Sequence, residues 1–297
     1  MSQLHYETLL ARREGLTRDL PAGDNEDLRW VANSATLIFG DHDGVLVDTF
    51  ITIEQNERLI DWVTAQGRRL TYIYLTHGHG DHVYGIGQLL SAFPGAQAVA
   101  TAGTIAEAHI QASDEYRDGF WGNLFPGQIP QPVIPDELAG DTIPLEEHEL
   151  RVIETGHTDT TGTTVLWCPS LRLIVAGDVV YSRTHMFLAE TTAASRQEWI
   201  AALTRLKDLD PLHVVAGHKQ PDGTDDPVDI DESICYLTDF DNAPAQTATP
   251  AELYEAVLHK HARRANPGAL WGQPSSSRPR STEADQPART DLGGALR

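Results

Sequence analysis

The stretch Leu70-Thr-Tyr-Ile-Tyr-Leu-Thr-His77-Gly-His79-Gly-Asp81-His82-Val-Tyr-Gly85 decides how the rest of the chain is read. Its first half is apolar, β-branched or aromatic, which predicts a strand over Leu70–Leu75. Its second half sets four potential metal ligands, His77, His79, Asp81 and His82, within six residues. Imidazole nitrogen and carboxylate oxygen are the donors that Zn2+ and related divalent ions accept. Gly78, Gly80 and Gly85 let the backbone bend so that neighbouring side chains converge. Tyr84–Phe93 can then start a helix.

Working outward, one local form recurs: an apolar strand, a glycine, then a ligand. His157 follows Ile153-Glu-Thr-Gly156. Asp178 follows Leu173-Ile-Val-Ala-Gly177, and His218 follows Val214-Val-Ala-Gly217. Asp48 ends Gly44-Val-Leu-Val47 and reads as an outer carboxylate that holds a ligating histidine in one tautomer. Seven ligands exceed what one tetrahedral ion uses. They suit two divalent ions a few ångströms apart, with His77, His79 and His157 on one, Asp81, His82 and His218 on the other, and Asp178 between. Two cations sharing a water bring its pKa toward neutrality and so provide a hydroxide at pH 7. Zinc is the expected metal, and the aspartate oxygens also admit iron or manganese. His5, His42, His109, His148, His213, His259 and His261 lack this context and read as surface histidines.

Short Val-, Ile- and Leu-rich runs predict strands at Ala35–Phe39, Val45–Val47, Leu150–Ile153, Thr163–Trp167, Leu171–Val175 and Leu212–Val215. Helices are predicted at Ile53–Val63, Arg196–Leu206, Ile230–Phe240 and Ala251–His261. In Arg196–Leu206 the 3.6-residue period puts Trp199, Ile200, Leu203 and Leu206 on one face. Strands group at both ends of the body with helices between them, which argues for an α+β chain of stacked sheets covered by helices. There is no internal repeat, so residues 1–261 read as one domain. Residues 262–297 are rich in Pro, Ser, Gly and Arg and are expected to be a disordered tail.

The composition excludes several classes of function. Lys and Arg number 22 against 43 Asp and Glu, a net charge of −21. A surface that negative repels phosphate backbones and anionic lipid, so no nucleic-acid or membrane partner is expected. No apolar run approaches the roughly 18 residues of a membrane helix, and the N-terminal residues do not read as a signal peptide. Two cysteines, Cys168 and Cys235, build no disulfide framework, which points to a reducing cytoplasm.

The ordered set Asp48, His77-Gly-His79-Gly-Asp81-His82, His157, Asp178 and His218 resembles the metallo-β-lactamase superfamily over roughly residues 30–220. The resemblance implies a four-layer αββα sandwich with a dinuclear site at one edge between the sheets. It also implies the ligand partition given above. Asp178 is similar to the bridging aspartate of glyoxalase II-like thioesterases and acyl-homoserine lactonases, which true β-lactamases generally lack. Oxygen-reducing di-iron relatives usually have an acidic residue where this chain has His79. Persulfide dioxygenases share the cluster with one iron. Tyr181, three residues after Asp178, resembles a lactonase tyrosine that polarises the scissile carbonyl.

The implied function is hydrolysis of a small lactone, ester or thioester by a metal-bound hydroxide, with Asp81, Asp178 and Tyr181 as catalytic residues. The alternatives are β-lactam hydrolysis, an iron-dependent persulfide dioxygenase, or a silent binding protein of the same fold. Tyr116–Pro132 is aromatic and rich in Pro and Gly, so it reads as a wall or lid over the metals. Tyr116, Phe120, Trp121 and Phe125 from this segment, with His185, Met186 and Phe187, form the expected pocket for a small-molecule substrate. A competing reading packs both segments on the fold or on another subunit of an oligomer. Lys219 reads as a surface lysine.

Overall fold

The architecture is that of a computed structural model describing residues 2–13, 31–243 and 249–271. One sheet has six strands in the order β1 (His5–Arg13), β2 (Val31–Phe39), β3 (Asp43–Val47), β4 (Arg69–Tyr74), β5 (Gln97–Ala100) and β6 (Asp136–Glu137). The first three run antiparallel, and β3 to β6 run parallel. Parallel neighbours need crossovers. These are α1 (Ile53–Ala65), the pair α2 (Gly80–Val83) and α3 (Ile86–Ala92), and α4 (Ala102–Gln111). After α4 the chain makes the short turns α5 (Asp114–Tyr116), Arg117–Trp121 and α6 (Gly122–Leu124).

The second sheet contains β7 (Thr142–Leu145), β8 (His148–Gly156), β9 (Thr163–Cys168) and β10 (Leu173–Val175). After the two-residue β11 (Tyr181–Ser182) and helix α7 (Ala193–Lys207), β12 (His213–Val215) adds to it in parallel beside β10. β13 (His218–Lys219) pairs instead with β11, which sets Tyr181 opposite His218. Helices α8 (Val228–Asn242), α9 (Pro250–Lys260) and α10 (Pro267–Trp271) follow.

Alternation along the strands feeds both faces of each sheet. Ile38, Val45, Val47, Tyr74 and Val99 point inward, where they meet Leu150, Leu166, Leu173, Val175 and Val215 of the opposite sheet. Leu37, Leu46 and Ile73 point outward to Leu59 and Val63 of α1 and Leu89 of α3. On the far side Val165, Trp167, Ile174 and Val214 meet Trp199, Leu203 and Leu206 of α7 and Ile230 and Leu237 of α8. The result is helix, sheet, sheet, helix, the αββα order that the resemblance implied. Capping boxes Thr52/Gln55, Thr192/Ser195 and Thr249/Glu252 fix the starts of α1, α7 and α9. Trp199 is wholly buried, and its indole N–H donates to the Val179 carbonyl at 2.8 Å. That bond ties α7 to the turn carrying Asp178, and losing a buried tryptophan costs about 3–5 kcal/mol.

The domain boundary expected after residue 261 moves. Ala265 N–H donates to Arg183 O at 2.9 Å, and His185 N–H donates to Ala265 O at 2.8 Å. Arg264 is buried, donates to Thr184 O at 2.9 Å and lies 5.0 Å from the Tyr236 ring centre. Leu270 joins the core against α9. Composition suggested disorder here, but these residues supply donors and acceptors to a loop that no sheet covers. Residues 272–297 of the expected tail lie outside the described residues. No helix among the described residues is long and apolar enough to cross a membrane.

Candidate metal centre

Every functional side chain leaves the C-terminal end of a strand on one edge of the sandwich. β3 delivers Asp48, β4 delivers His77 to His82, β8 leads to Asp159, β10 to Asp178 and β12 to His218. Asp48 has φ 64°, a left-handed conformation that aspartate tolerates better than most residues. From there Oδ1 accepts Thr76 N–H at 2.8 Å and Oδ2 accepts Thr76 Oγ1–H at 2.8 Å. Oδ2 also lies 3.1 Å from His82 Nδ1. This contact fixes the Nδ1 proton of His82 and turns Nε2 toward Asp178.

Among the described residues four clusters of donors result, and two of them hold the expected ligands. His77, His79, Asp159 and Asp178 each offer one atom, all within 4.8 Å of one another; Asp81, His82 and His218 form a second such group. Asp178, a member of the first group, also reaches the second, with Oδ1 at 3.2 Å from His82 Nε2 and Oδ2 at 3.2 Å from His218 Nε2. His218 Nδ1–H donates to Ala32 O at 2.8 Å, which turns its Nε2 inward too. Asn33 Nδ2–H donates to Asp81 Oδ2 at 3.0 Å. Close backbone approach makes this packing work: a Cβ on Gly78 would lie 2.5 Å from Ala108 N, and one on Gly217 would overlap Asp178.

Three buried atoms at this place have no hydrogen bond: His77 Nε2, Asp159 Oδ2 and Asp178 Oδ1. A buried polar atom without a partner costs free energy, and natural structures rarely keep several together. Nitrogen and oxygen lone pairs aimed at one space fit a divalent cation, which satisfies all of them at once. The charges agree. Burial disfavours the ionised form of Asp178, but His218 and His82 outweigh it and hold the carboxyl well below its ordinary range. Burial likewise opposes protonation of His79 and His82, yet Glu190 and Asp159 on one, and Asp178 and Asp48 on the other, hold both well above the usual histidine value. His77 is pushed down by burial and by His82 beside it.

The structure brings six of the seven expected ligands together and leaves out His157. Gly156, at φ 85°, turns the chain so that His157 Nε2–H donates to Glu190 O at 3.0 Å. Asp159 faces the two histidines instead, its Oδ2 at 3.1 Å from His79 Nδ1 and 3.7 Å from His77 Nε2. Sequence reading passed over Asp159 because a histidine after a glycine is the stronger lure; its own position in the same turn was the signal available. Glu190 was also missed. Its carboxylate lies 3.4 Å from His79 Nε2, across the ring from the donor group. No local pattern marks it, because 111 residues separate the pair.

Tyr181 Oη–H donates to Asp178 Oδ2 at 2.7 Å, and its ring stacks on His218 at 5.6 Å. Phe187 meets the edge of His79 at 5.8 Å, as a pocket wall would. Trp121 Nε1–H donates to Gln111 Oε1 at 3.0 Å, and Gln111 also accepts Gly80 N–H at 3.3 Å. Tyr116, Phe120, Trp121 and Phe125 form an aromatic chain in which Trp121 abuts the metal-binding turn at Gly80. Two expected pocket residues lie elsewhere. Met186 is core, and His185 is buried against Tyr236, its Nδ1 at 3.0 Å from the phenol. Both are wholly buried, and Phe187 is the one of the three that is partly exposed. Lys219 is buried beside Asp225 at 2.5 Å rather than on the surface.

The family model described as the metallo-beta-lactamase superfamily matches residues 28–218. A metallo-beta-lactamase type 2 from Bacteroides fragilis is 25% identical over 198 residues, 66% of this chain and 72% of that protein. The mitochondrial persulfide dioxygenase ETHE1 of Homo sapiens is 35% identical over 94 residues, 30% of this chain and 36% of that protein. Among solved structures, a metallo-beta-lactamase family protein from Thermus thermophilus superposes with TM-score 0.58 at 19% identity, covering 88% of this chain and 91% of that one. A metallo-beta-lactamase from Pontibacter korlensis gives 0.57 at 19% identity, covering 80% and 96%.

Proposed function

The chain belongs to the metallo-β-lactamase superfamily, and on that premise we propose that it is a dinuclear metal-dependent hydrolase of small lactones, esters or thioesters. The observation that carries this reading is that Asp178 shares a donor group with His77, His79 and Asp159, while its two oxygens lie 3.2 Å from His82 Nε2 and His218 Nε2 of the other group. Bound divalent ions supply a hydroxide near neutral pH and an electrophilic contact for the substrate carbonyl oxygen. His77, His79, Asp159 and Asp178 would hold one ion; Asp81, His82, His218 and Asp178 the other. Asp178 stays ionised, so it acts as a ligand rather than as a proton carrier. Tyr181 fixes the orientation of that carboxylate through its hydroxyl, a different job from polarising the carbonyl directly. Phe187 and Trp121 give the approach an apolar wall that suits an acyl chain better than a charged group.

The test is a substrate panel on the metal-loaded chain, comparing acyl lactones, thioesters and nitrocefin, with a chelated control. Hydrolysis of lactone or thioester that disappears with chelator and with Asp178→Ala supports the reading. Preference for nitrocefin would move the chain to the β-lactamases. A second reading, a persulfide dioxygenase, is favoured by the match to ETHE1 over 94 residues. Oxygen uptake on glutathione persulfide, with one iron per chain, would establish it.

A further inference from the structure

We infer that Asp159, in place of His157, is the third ligand of the first ion, and that this carboxylate narrows the preference of that position for zinc over manganese. The inference rests on the metal-centre reading above. Asp159 is fully buried, and its Oδ2 has no hydrogen bond although it points between His77 and His79. Its other oxygen is held by Thr158 Oγ1–H at 2.8 Å, so the carboxylate is aimed rather than free to rotate. A buried carboxylate whose free oxygen faces two candidate ligand imidazoles, the nearer at 3.1 Å, is placed to share a cation with them.

The loop that carries it cannot readily bring His157 in instead. Thr158 N–H donates to Thr160 O at 2.9 Å, closing a tight turn. Thr163 Oγ1–H donates to Gly156 O at 3.0 Å, and Thr104 Oγ1–H donates to Gly162 O at 3.0 Å. Gly162 sits so close to Gly103 that a Cβ there would lie 2.5 Å from the Gly103 carbonyl carbon. His157 for its part is committed to Glu190 O. Swapping one imidazole for a carboxylate gives the first ion two nitrogens and two oxygens, a harder set that suits manganese or iron better than three nitrogens do. It also adds a negative charge to the centre, which offsets more of the charge of two divalent ions.

The experiment measures metal per chain and affinity for Zn2+ and Mn2+ on the full chain, stripped and reloaded, with circular dichroism to confirm folding. Wild type should bind two ions. Asp159→Asn, which keeps the shape, and Asp159→Ala should each weaken one ion by about a hundredfold or more, the upper end of what outer-sphere changes cost. His157→Ala should keep both ions within about threefold, since the bond it loses is to Glu190 O and not to an ion. Asp159→His should raise the zinc-to-manganese affinity ratio at least about tenfold. Loss of an ion in His157→Ala, with both retained in Asp159→Asn, overturns the inference while leaving the metal centre intact. A wild-type chain that binds neither metal overturns the centre itself.

Discussion

Replacing Asp48 by Asn isolates the one carboxylate that contacts no ion yet sets a ligand's tautomer. Asp48 accepts from Thr76 N and Thr76 Oγ1 and faces His82 Nδ1 at 3.1 Å. Asn keeps the left-handed backbone that φ 64° requires and keeps one acceptor oxygen. With that oxygen on Thr76 N, its NH2 group meets His82 Nδ1. The imidazole must then carry its proton on Nε2, the atom aimed at Asp178. The opposite flip sets the NH2 against the Thr76 amide instead and leaves a buried donor unpaired. A charge-assisted hydrogen bond of about 1.5–3 kcal/mol is lost from the metal-bound state either way. Each 1.4 kcal/mol is a factor of ten, so affinity for the ion at Asp81, His82 and His218 should fall about 10- to 150-fold. Without metal, stability should drop by about 1.5–3 kcal/mol, because the same charge-assisted bond is lost from the folded state. Asp48→Ala differs sharply: it strands three buried donors at about 1–3 kcal/mol each, enough to threaten a fold worth about 5–15 kcal/mol in all. Chelator competition for affinity and urea unfolding for stability separate the two effects. An Asp48→Asn variant that binds both ions as tightly as wild type would refute the tautomer role.

Other perturbations follow from the same geometry. Tyr181→Phe removes a donor from Asp178 and should slow turnover by about tenfold while leaving two ions bound, since a single hydrogen bond is worth about 1 kcal/mol; metal analysis beside kcat checks it. Gly217→Ala drives a methyl into Asp178 and should cost about 1–3 kcal/mol as overpacking, with loss of at least one ion on metal analysis. Burial pushes His185 down to about 3, below its unfolded value of 6.5, so the unfolded chain binds the extra proton between those two values. Stability therefore falls as pH drops from 6.5 toward 3, by about 4–5 kcal/mol in all, and His185→Gln should flatten that slope in urea titrations at pH 7 and pH 4. A hydrogen bond from Ser2, with the His42 and Asp43 backbone N–H groups that Glu146 also accepts, holds its carboxyl down to about 2. Its contribution is complete above pH 4.5 and fades as pH falls toward 2, so Glu146→Gln should lose less stability than wild type over that range.

What the sequence made legible depends on how local the cause is. The strands at β3, β4, β9 and β12 and the helix α7 came through within a few residues, because alternation and the 3.6-residue stripe act over one element. The first strand did not: His5–Arg13 is polar on one side and is held by pairing with β2 across a long gap in the chain. The same division runs through the site. His77 to His82 is one turn and reads directly, and Asp178 and His218 read because a glycine must precede each where backbones nearly touch. Asp159 and His157 differ by two residues in an equally polar turn, so no local rule chooses between them. The choice is made by Glu190, which draws His157 outward, and by the Gly103–Gly162 contact, which fixes the turn from outside. Ligand identity in this fold is thus decided by the loops that press on the strand ends, while the strands decide only that ligands can meet.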